Sequence, residues 1–95
     1  MNSINKLNNF KEKKEEIKKE VLNKIYDLCI KTIDLHINNK YACIYEIPYI
    51  LFGYSKYDIN ECLKFLKKKL YSNGFKYTII LEPNKIYINW YCLVK

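Results

Sequence analysis

From Phe75 onward the apolar residues follow a period of two, and a single break at Pro83-Asn84 divides that stretch into halves. In the first half Phe75, Tyr77, Ile79 and Leu81 fall on one face and Lys76, Thr78, Ile80 and Glu82 on the other. In the second half Ile86, Ile88, Trp90 and Cys92 share a face opposite Tyr87, Asn89 and Tyr91. Alternation marks extended strands, and two such runs around a turn predict a β-hairpin that pairs residues 75–82 with residues 85–93.

The chain ahead of the hairpin reads as helix. Asp58-Ile59-Asn60-Glu61 has the D-x-x-E spacing of a capping box, in which the Asp side chain takes an orphan amide and the Glu reaches back. Ile59, Cys62, Leu63, Leu66 and Leu70 then form a buried stripe, Lys64, Lys67 and Lys68 turn outward, and Asn73-Gly74 stops the helix. A second stripe of 3.6-residue period joins Ile17, Val21, Ile25, Leu28, Cys29, Thr32, Ile33 and Ile37, and predicts a helix over residues 9–38. Its opening segment, residues 11–20, mixes charges of both signs at spacings that allow pairs such as Glu15–Lys19, so it is a solvated face. Asn38-Asn39 is expected to end this helix in a left-handed conformation. A short strand follows over residues 41–47, closed by Pro48, and residues 49–57 read as a helical turn and a loop around Gly53.

Ninety-five residues support one hydrophobic core and not two. The expected organisation is a charged N-terminal helix extension over residues 1–16 and a single α+β domain over residues 17–95. Apolar residues make up 49% and charged residues 28%, and only two Gly and two Pro occur, so nearly all of the chain should be folded. The longest apolar run, residues 44–54, is interrupted by Glu46, Pro48 and Gly53 and reaches about half of the roughly 20 residues that a membrane span needs. The N-terminus lacks the apolar stretch of a signal peptide, so Cys29, Cys43, Cys62 and Cys92 are expected to be free thiols of an intracellular protein with no membrane partner.

All seventeen basic residues are Lys and none is Arg. A+T-rich codons produce this bias without selection for function, but the net charge of +7 still makes a potential that attracts polyanions. The absence of Arg removes the commonest tool for reading guanine edges, so nucleic-acid binding would rest mainly on non-specific phosphate contacts. The order helix, short strand, helical turn, helix, hairpin is also that of a winged-helix domain. On that reading Asp58–Ser72 is the recognition helix, Pro83-Asn84-Lys85 is the wing tip, and Lys64, Lys67, Lys68, Lys69, Lys76 and Lys85 line a phosphate-facing surface. Residues 56–95 hold eight Lys against three acids, whereas residues 1–55 hold nine against seven, which places the charge on the expected side.

Ten tyrosines offer a competing surface. Tyr87 and Tyr91 beside Lys76 and Lys85 have the make-up of a base-stacking platform. The denser group around Tyr41, Tyr45, Tyr49, Tyr54 and Tyr57 suits a protein interface better, because Tyr supplies contact area with a polar tip at low entropic cost. The expected protein interface is therefore Tyr45, Tyr49, Phe52, Tyr54, Tyr57, Tyr87 and Tyr91. His36 is the only histidine, and no two Cys lie in the close pairs that structural zinc requires, so neither metal nor cofactor is expected. No Ser or Cys sits in a nucleophile elbow, and Glu46, Asp58 and Glu61 are explained as strand-edge and capping residues, so no catalytic residue is assigned.

The spacing Tyr45-x-Ile47-Pro48, Gly53, Tyr57-Asp58, Cys62, Leu70, Gly74-Phe75, Pro83 and Ile88-x-Trp90 resembles that of small uncharacterised proteins of nucleocytoplasmic large DNA viruses of the giant-virus type, over residues 20–91. The resemblance implies a viral accessory or virion-associated protein, located in the host cytoplasm or the virion, that acts by binding and carries no catalytic residue. The leading expectation is a non-enzymatic module that docks onto itself or another protein through its aromatic surface and N-terminal helix. A winged-helix nucleic-acid binder is the alternative.

Overall fold

The computed structural model describes residues 3–91, with side chains from Lys18 onward. The chain is α+β: helix α1 (Ser3–His36), strand β1 (Ala42–Glu46), helix α2 (Ile59–Ser72) and a C-terminal hairpin of β2 (Tyr77–Leu81) and β3 (Lys85–Asn89). The three strands form one antiparallel sheet in the order β1-β3-β2, with Ile44 opposite Tyr87 and Tyr87 opposite Ile79 across its middle. The molecule measures 60 × 24 × 21 Å, a long axis set by α1, whose 34 residues span about 51 Å at 1.5 Å each.

α1 packs on β1 and α2, and α2 packs on β2 and β3, so both helices cover the same side of the sheet. Among the described side chains α1 enters the core at Val21 and continues through Ile25, Cys29 and Ile33, one residue per turn. α2 supplies Cys62, Leu63, Leu66 and Leu70, and the sheet supplies Tyr45, Ile47, Ile86, Ile88 and Trp90. Trp90 ties the layers together: its Nε1 donates to the Lys40 carbonyl at 2.8 Å and its backbone N–H to the Tyr41 carbonyl at 2.9 Å.

Several expectations change in detail. α1 begins at Ser3, six residues earlier than its apolar stripe suggests. It ends without a left-handed residue, since among the described residues only Gly53 and Gly74 have positive φ; the N–H groups of Asn39 and Lys40 instead fold back onto the His36 carbonyl. Beyond that end Ile37 is exposed, while Leu28 and Thr32 are half-buried on the flank of the stripe. Ile59 on α2 is likewise half-buried. The charged extension of residues 1–16 and the expected burial of Ile17 and Cys92 lie outside the described side chains.

The caps of α2 explain its sharp bounds. The Asp58 side chain accepts from the Glu61 N–H at 3.2 Å, but the other half of the expected capping box is replaced by an ion pair between Glu61 and Lys18 of α1. At the far end the N–H of Phe75 bonds the Leu70 carbonyl at 2.8 Å and that of Gly74 the Tyr71 carbonyl at 3.1 Å, a Schellman motif with Gly74 at φ +99°.

The faces of β2 are the reverse of what apolar content suggests. Thr78 and Ile80 point toward the helices, while Tyr77, Ile79 and Leu81 point away from them and are exposed. Register decides this: β2 is fixed to β3, whose Ile86 and Ile88 must face the core, and a one-residue slip would flip every side chain. The expected wing tip is also not a projection. Asn84, only 3% exposed, donates through its side chain to the Ile47 carbonyl at 3.0 Å and to Glu46 Oε1 at 3.2 Å, and its own carbonyl accepts from the Ile47 N–H at 2.8 Å. Those bonds fold the hairpin turn, with its cis Glu82–Pro83 peptide, onto the end of β1.

Candidate functional site

Residues 48–57 connect β1 to α2 without regular structure, and the expected helical turn is a β-turn from Leu51 to Tyr54 closed by a 3.1 Å bond between Tyr54 N–H and the Leu51 carbonyl. Gly53 occupies its third position at φ +89°, the type II arrangement, which leaves Phe52 at the corner. Two anchors hold the loop: Leu51 packs on the core, and Tyr57 packs there too while its hydroxyl donates to the Pro48 carbonyl. The side chains between the anchors have nowhere to turn but outward. Phe52 is fully exposed, Ile50 is 81% exposed and Tyr49 60% exposed, with Tyr54 beside them. Contiguous apolar residues in a loop cannot all face one way, because no helical or strand period sorts them.

Of the seven residues expected at a protein interface, the structure brings Tyr49, Phe52 and Tyr54 together on this loop. Tyr45 belongs to the core, because the strand parity that buries Ile47 buries it as well. Its hydroxyl has no protein hydrogen-bond partner among the described residues, and burial pushes that phenol well above its usual range. Tyr57 is a loop anchor. Tyr87 and Tyr91 lie elsewhere: Tyr87 is half-buried in the middle of the outer sheet face between Ile44 and Ile79, and Tyr91 stands at the end of the sheet, edge-on to Tyr41 at 4.9 Å.

The six candidate phosphate-binding lysines divide in the same manner. Lys64, Lys67 and Lys68 line a shallow groove with Tyr71, Ser72 and Ile80 between α2 and β2, and Lys76 joins it from 5.9 Å over the Tyr71 ring. Lys67 is tethered there, donating to the Thr78 carbonyl at 2.8 Å, so it also covers an acceptor of the edge strand β2. Lys69 turns the other way, toward α1, where it lies 4.7 Å above the Tyr26 ring and bonds Asn23 Oδ1 at 3.3 Å. Lys85 faces away from α2, paired in register with Glu46 on β1 and Leu81 on β2.

Cys29, Cys43 and Cys62 are free and lie in or beside the core. Desolvation, reinforced by Cys43, pushes the Cys29 thiol up to about 12, and desolvation with the nearby Glu61 and Asp58 carboxylates pushes Cys62 up to about 11. Cys43 is raised by burial too. Such thiols stay protonated at neutral pH and are poor nucleophiles. Among the described residues no three His, Cys, Asp or Glu side chains come together as a metal site, and no helix is long and apolar enough to cross a membrane.

Sequence reasoning missed a cavity of about 370 Å³ where α1 meets the start of α2. Val21, Leu22, Tyr57 and Cys62 form its apolar walls, and Lys18, Lys56, Asp58 and Glu61 stand at its mouth. Leu22, one residue off the α1 stripe, is half-buried like Tyr26 and Ile30, so the helical pattern does not set it apart.

A family model matches residues 2–71, which spans α1, β1, the aromatic loop and α2 up to its penultimate residue. The chain belongs to DUF5759, a family of unknown function. Comparison with curated proteins and with solved structures finds no match. The DUF5759 segment contains the whole aromatic loop and every residue lining the cavity, whereas the lysine groove draws Ser72 and Ile80 from beyond it.

Proposed function

We infer that this chain is a non-enzymatic interaction module that docks onto a protein through the loop of residues 48–57. The observation that carries this reading is the presentation of Phe52. It stands fully exposed at the corner of an anchored turn, with Ile50 and Tyr49 beside it, while Leu51 and Tyr57 hold the loop to the core. Exposed apolar residues scattered singly need no explanation, but a contiguous group on an anchored turn is the make-up of an interface hot spot. The protonated thiols support binding over nucleophilic chemistry. A benzophenone-bearing phenylalanine analogue at position 52, illuminated in an extract of the source cell, is expected to give a discrete protein adduct. The absence of any adduct at position 52, when the same analogue gives none at exposed Asn60 either, would remove the loop from consideration.

The lysine groove favours a second reading, in which Lys64, Lys67, Lys68 and Lys76 with Tyr71 contact a nucleic-acid backbone. Binding to fluorescent single- and double-stranded DNA would then fall steeply with salt, and charge reversal at Lys64, Lys67 and Lys68 would abolish it. Unchanged binding by the charge-reversed chain would eliminate this face.

A further inference from the structure

The loop and the cavity lie on one continuous stretch of chain. Residues 49–54 present the apolar side chains, and residues 55–58 turn directly into the cavity wall and mouth. Phe52 does not fill the cavity of its own molecule, since its side chain is fully exposed. The cavity, about 370 Å³, lies at the low end of the roughly 300–1,000 Å³ of small-molecule sites and is ample for one aromatic side chain and a neighbour. An apolar finger and an apolar receptacle on one continuous segment suit a two-fold interface, because each copy then offers both to the other.

We propose that the occupant of this cavity is Phe52 of a second copy of the chain, exchanged reciprocally in a two-fold dimer. The proposal rests on the docking role of the loop and adds the partner. Charge points to the same place. The chain carries +7 overall, so two copies repel, but among the described residues the cavity is lined by two cations, Lys18 and Lys56, and two anions, Asp58 and Glu61. Like-charged copies repel less across such a balanced patch than across a lysine-rich one, and Lys56 and Asp58 offer opposite signs to their counterparts. Area is sufficient. At roughly 150–250 Å² per buried aromatic, the exposed parts of Tyr49, Ile50, Phe52 and Tyr54 give on the order of 500 Å². The cavity lining brings each copy to roughly 600 Å², or about 1,200 Å² for the pair, the lower end of specific interfaces.

The test is sedimentation of the full chain over a concentration series at two salt levels. The expected result is a mass that rises from 11.5 kDa toward twice that value, with tighter association at higher salt because screening relieves the repulsion between copies. Phe52→Ala should weaken association by about tenfold or more, and Leu22→Lys, which places a charge in the cavity, should do the same. Ser55→Trp, on the exposed rim, serves if the Leu22 variant loses its circular dichroism. The deciding measurement mixes Phe52→Ala with the cavity variant. One intact finger then meets one intact cavity, so the mixture should form heterodimers that neither variant forms alone. A wild-type chain that stays monomeric to on the order of 1 mM, or a dimer indifferent to Phe52→Ala, overturns the proposal. A monomer that still cross-links another protein through position 52 sinks the second copy as occupant and leaves the docking loop standing. A monomer with no adduct sinks both.

Discussion

α2 and the loop that precedes it are of comparable apolar content and opposite fate. In α2 the apolar residues recur with the helical period, and Cys62, Leu63, Leu66 and Leu70 are all buried. In the loop Tyr49, Ile50, Leu51 and Phe52 are consecutive, and only Leu51 reaches the core. What separates them is the backbone. A capped helix satisfies its own amides and carbonyls and can press one face against the sheet, whereas an irregular segment must keep its polar backbone near water and carries its side chains along. Apolar content says how much surface a segment can bury, and periodicity says whether it does so within its own chain.

The sharpest way to break this contrast is truncation. Leu66→Ala should cost about 2–5 kcal/mol, since it opens a cavity in a site with no solvent exposure. Phe52→Ala should shift stability by less than about 0.5 kcal/mol in either direction, as for surface positions generally. Urea unfolding of the two variants checks both. A large loss on removing Phe52 would mean that the ring packs within its own molecule, and would take the docking loop with it.

The glycines give a matched pair of smaller effect. Gly53 and Gly74 have nearly the same φ, +89° and +99°, and an added Cβ would meet nothing within 4 Å at either, so the steric surroundings cancel and only the backbone conformation remains. Gly74 is locked by two Schellman hydrogen bonds and by Phe75 packed on the core, so Gly74→Ala should cost about 1–2 kcal/mol. Gly53→Ala can relax, because a single turn bond is all that opposes it, and should cost a few tenths of that in global stability. Equal losses would show that the loop unfolds only with the whole domain.

The same division sets what was legible in the sequence. The two helices, the short strand, the hairpin and the α+β class follow from residue period, the D-x-x-E spacing and the Gly and Pro breaks, all local signals. What was not legible depended on pairing between distant segments. The outward face of β2 is dictated by β3, and the buried Asn84 by bonds to Ile47 and Glu46, thirty-seven and thirty-eight residues away. The left-handed end foreseen for α1 did not form because a simple turn back to His36 satisfied the same carbonyl. For the candidate site, Tyr49, Phe52 and Tyr54 were visible as a group, but Tyr45 and Tyr57 could be separated from them only by strand parity and by a hydrogen bond across the loop. The cavity beside them is built from α1, the loop and α2, and no single window of sequence contains all three.

The junction itself, where loop becomes helix, gives the finest test. Asp58 accepts from the Glu61 N–H, and Glu61 pairs with Lys18, so the two halves of the expected capping box have separated into a helix cap and a link between α1 and α2. Asp58→Ala should cost about 1 kcal/mol, the usual worth of an N-cap side chain. Glu61→Gln keeps the backbone amide that Asp58 caps and removes only an ion pair whose partners are both about half exposed, so it should cost a few tenths of a kcal/mol and lose that effect at high salt. Thermal unfolding at low and high salt separates the two. If Glu61→Gln matched Asp58→Ala at every salt concentration, the carboxylate would be acting on the helix start after all, and the boundary between the docking loop and the packed helix would be drawn by a full capping box.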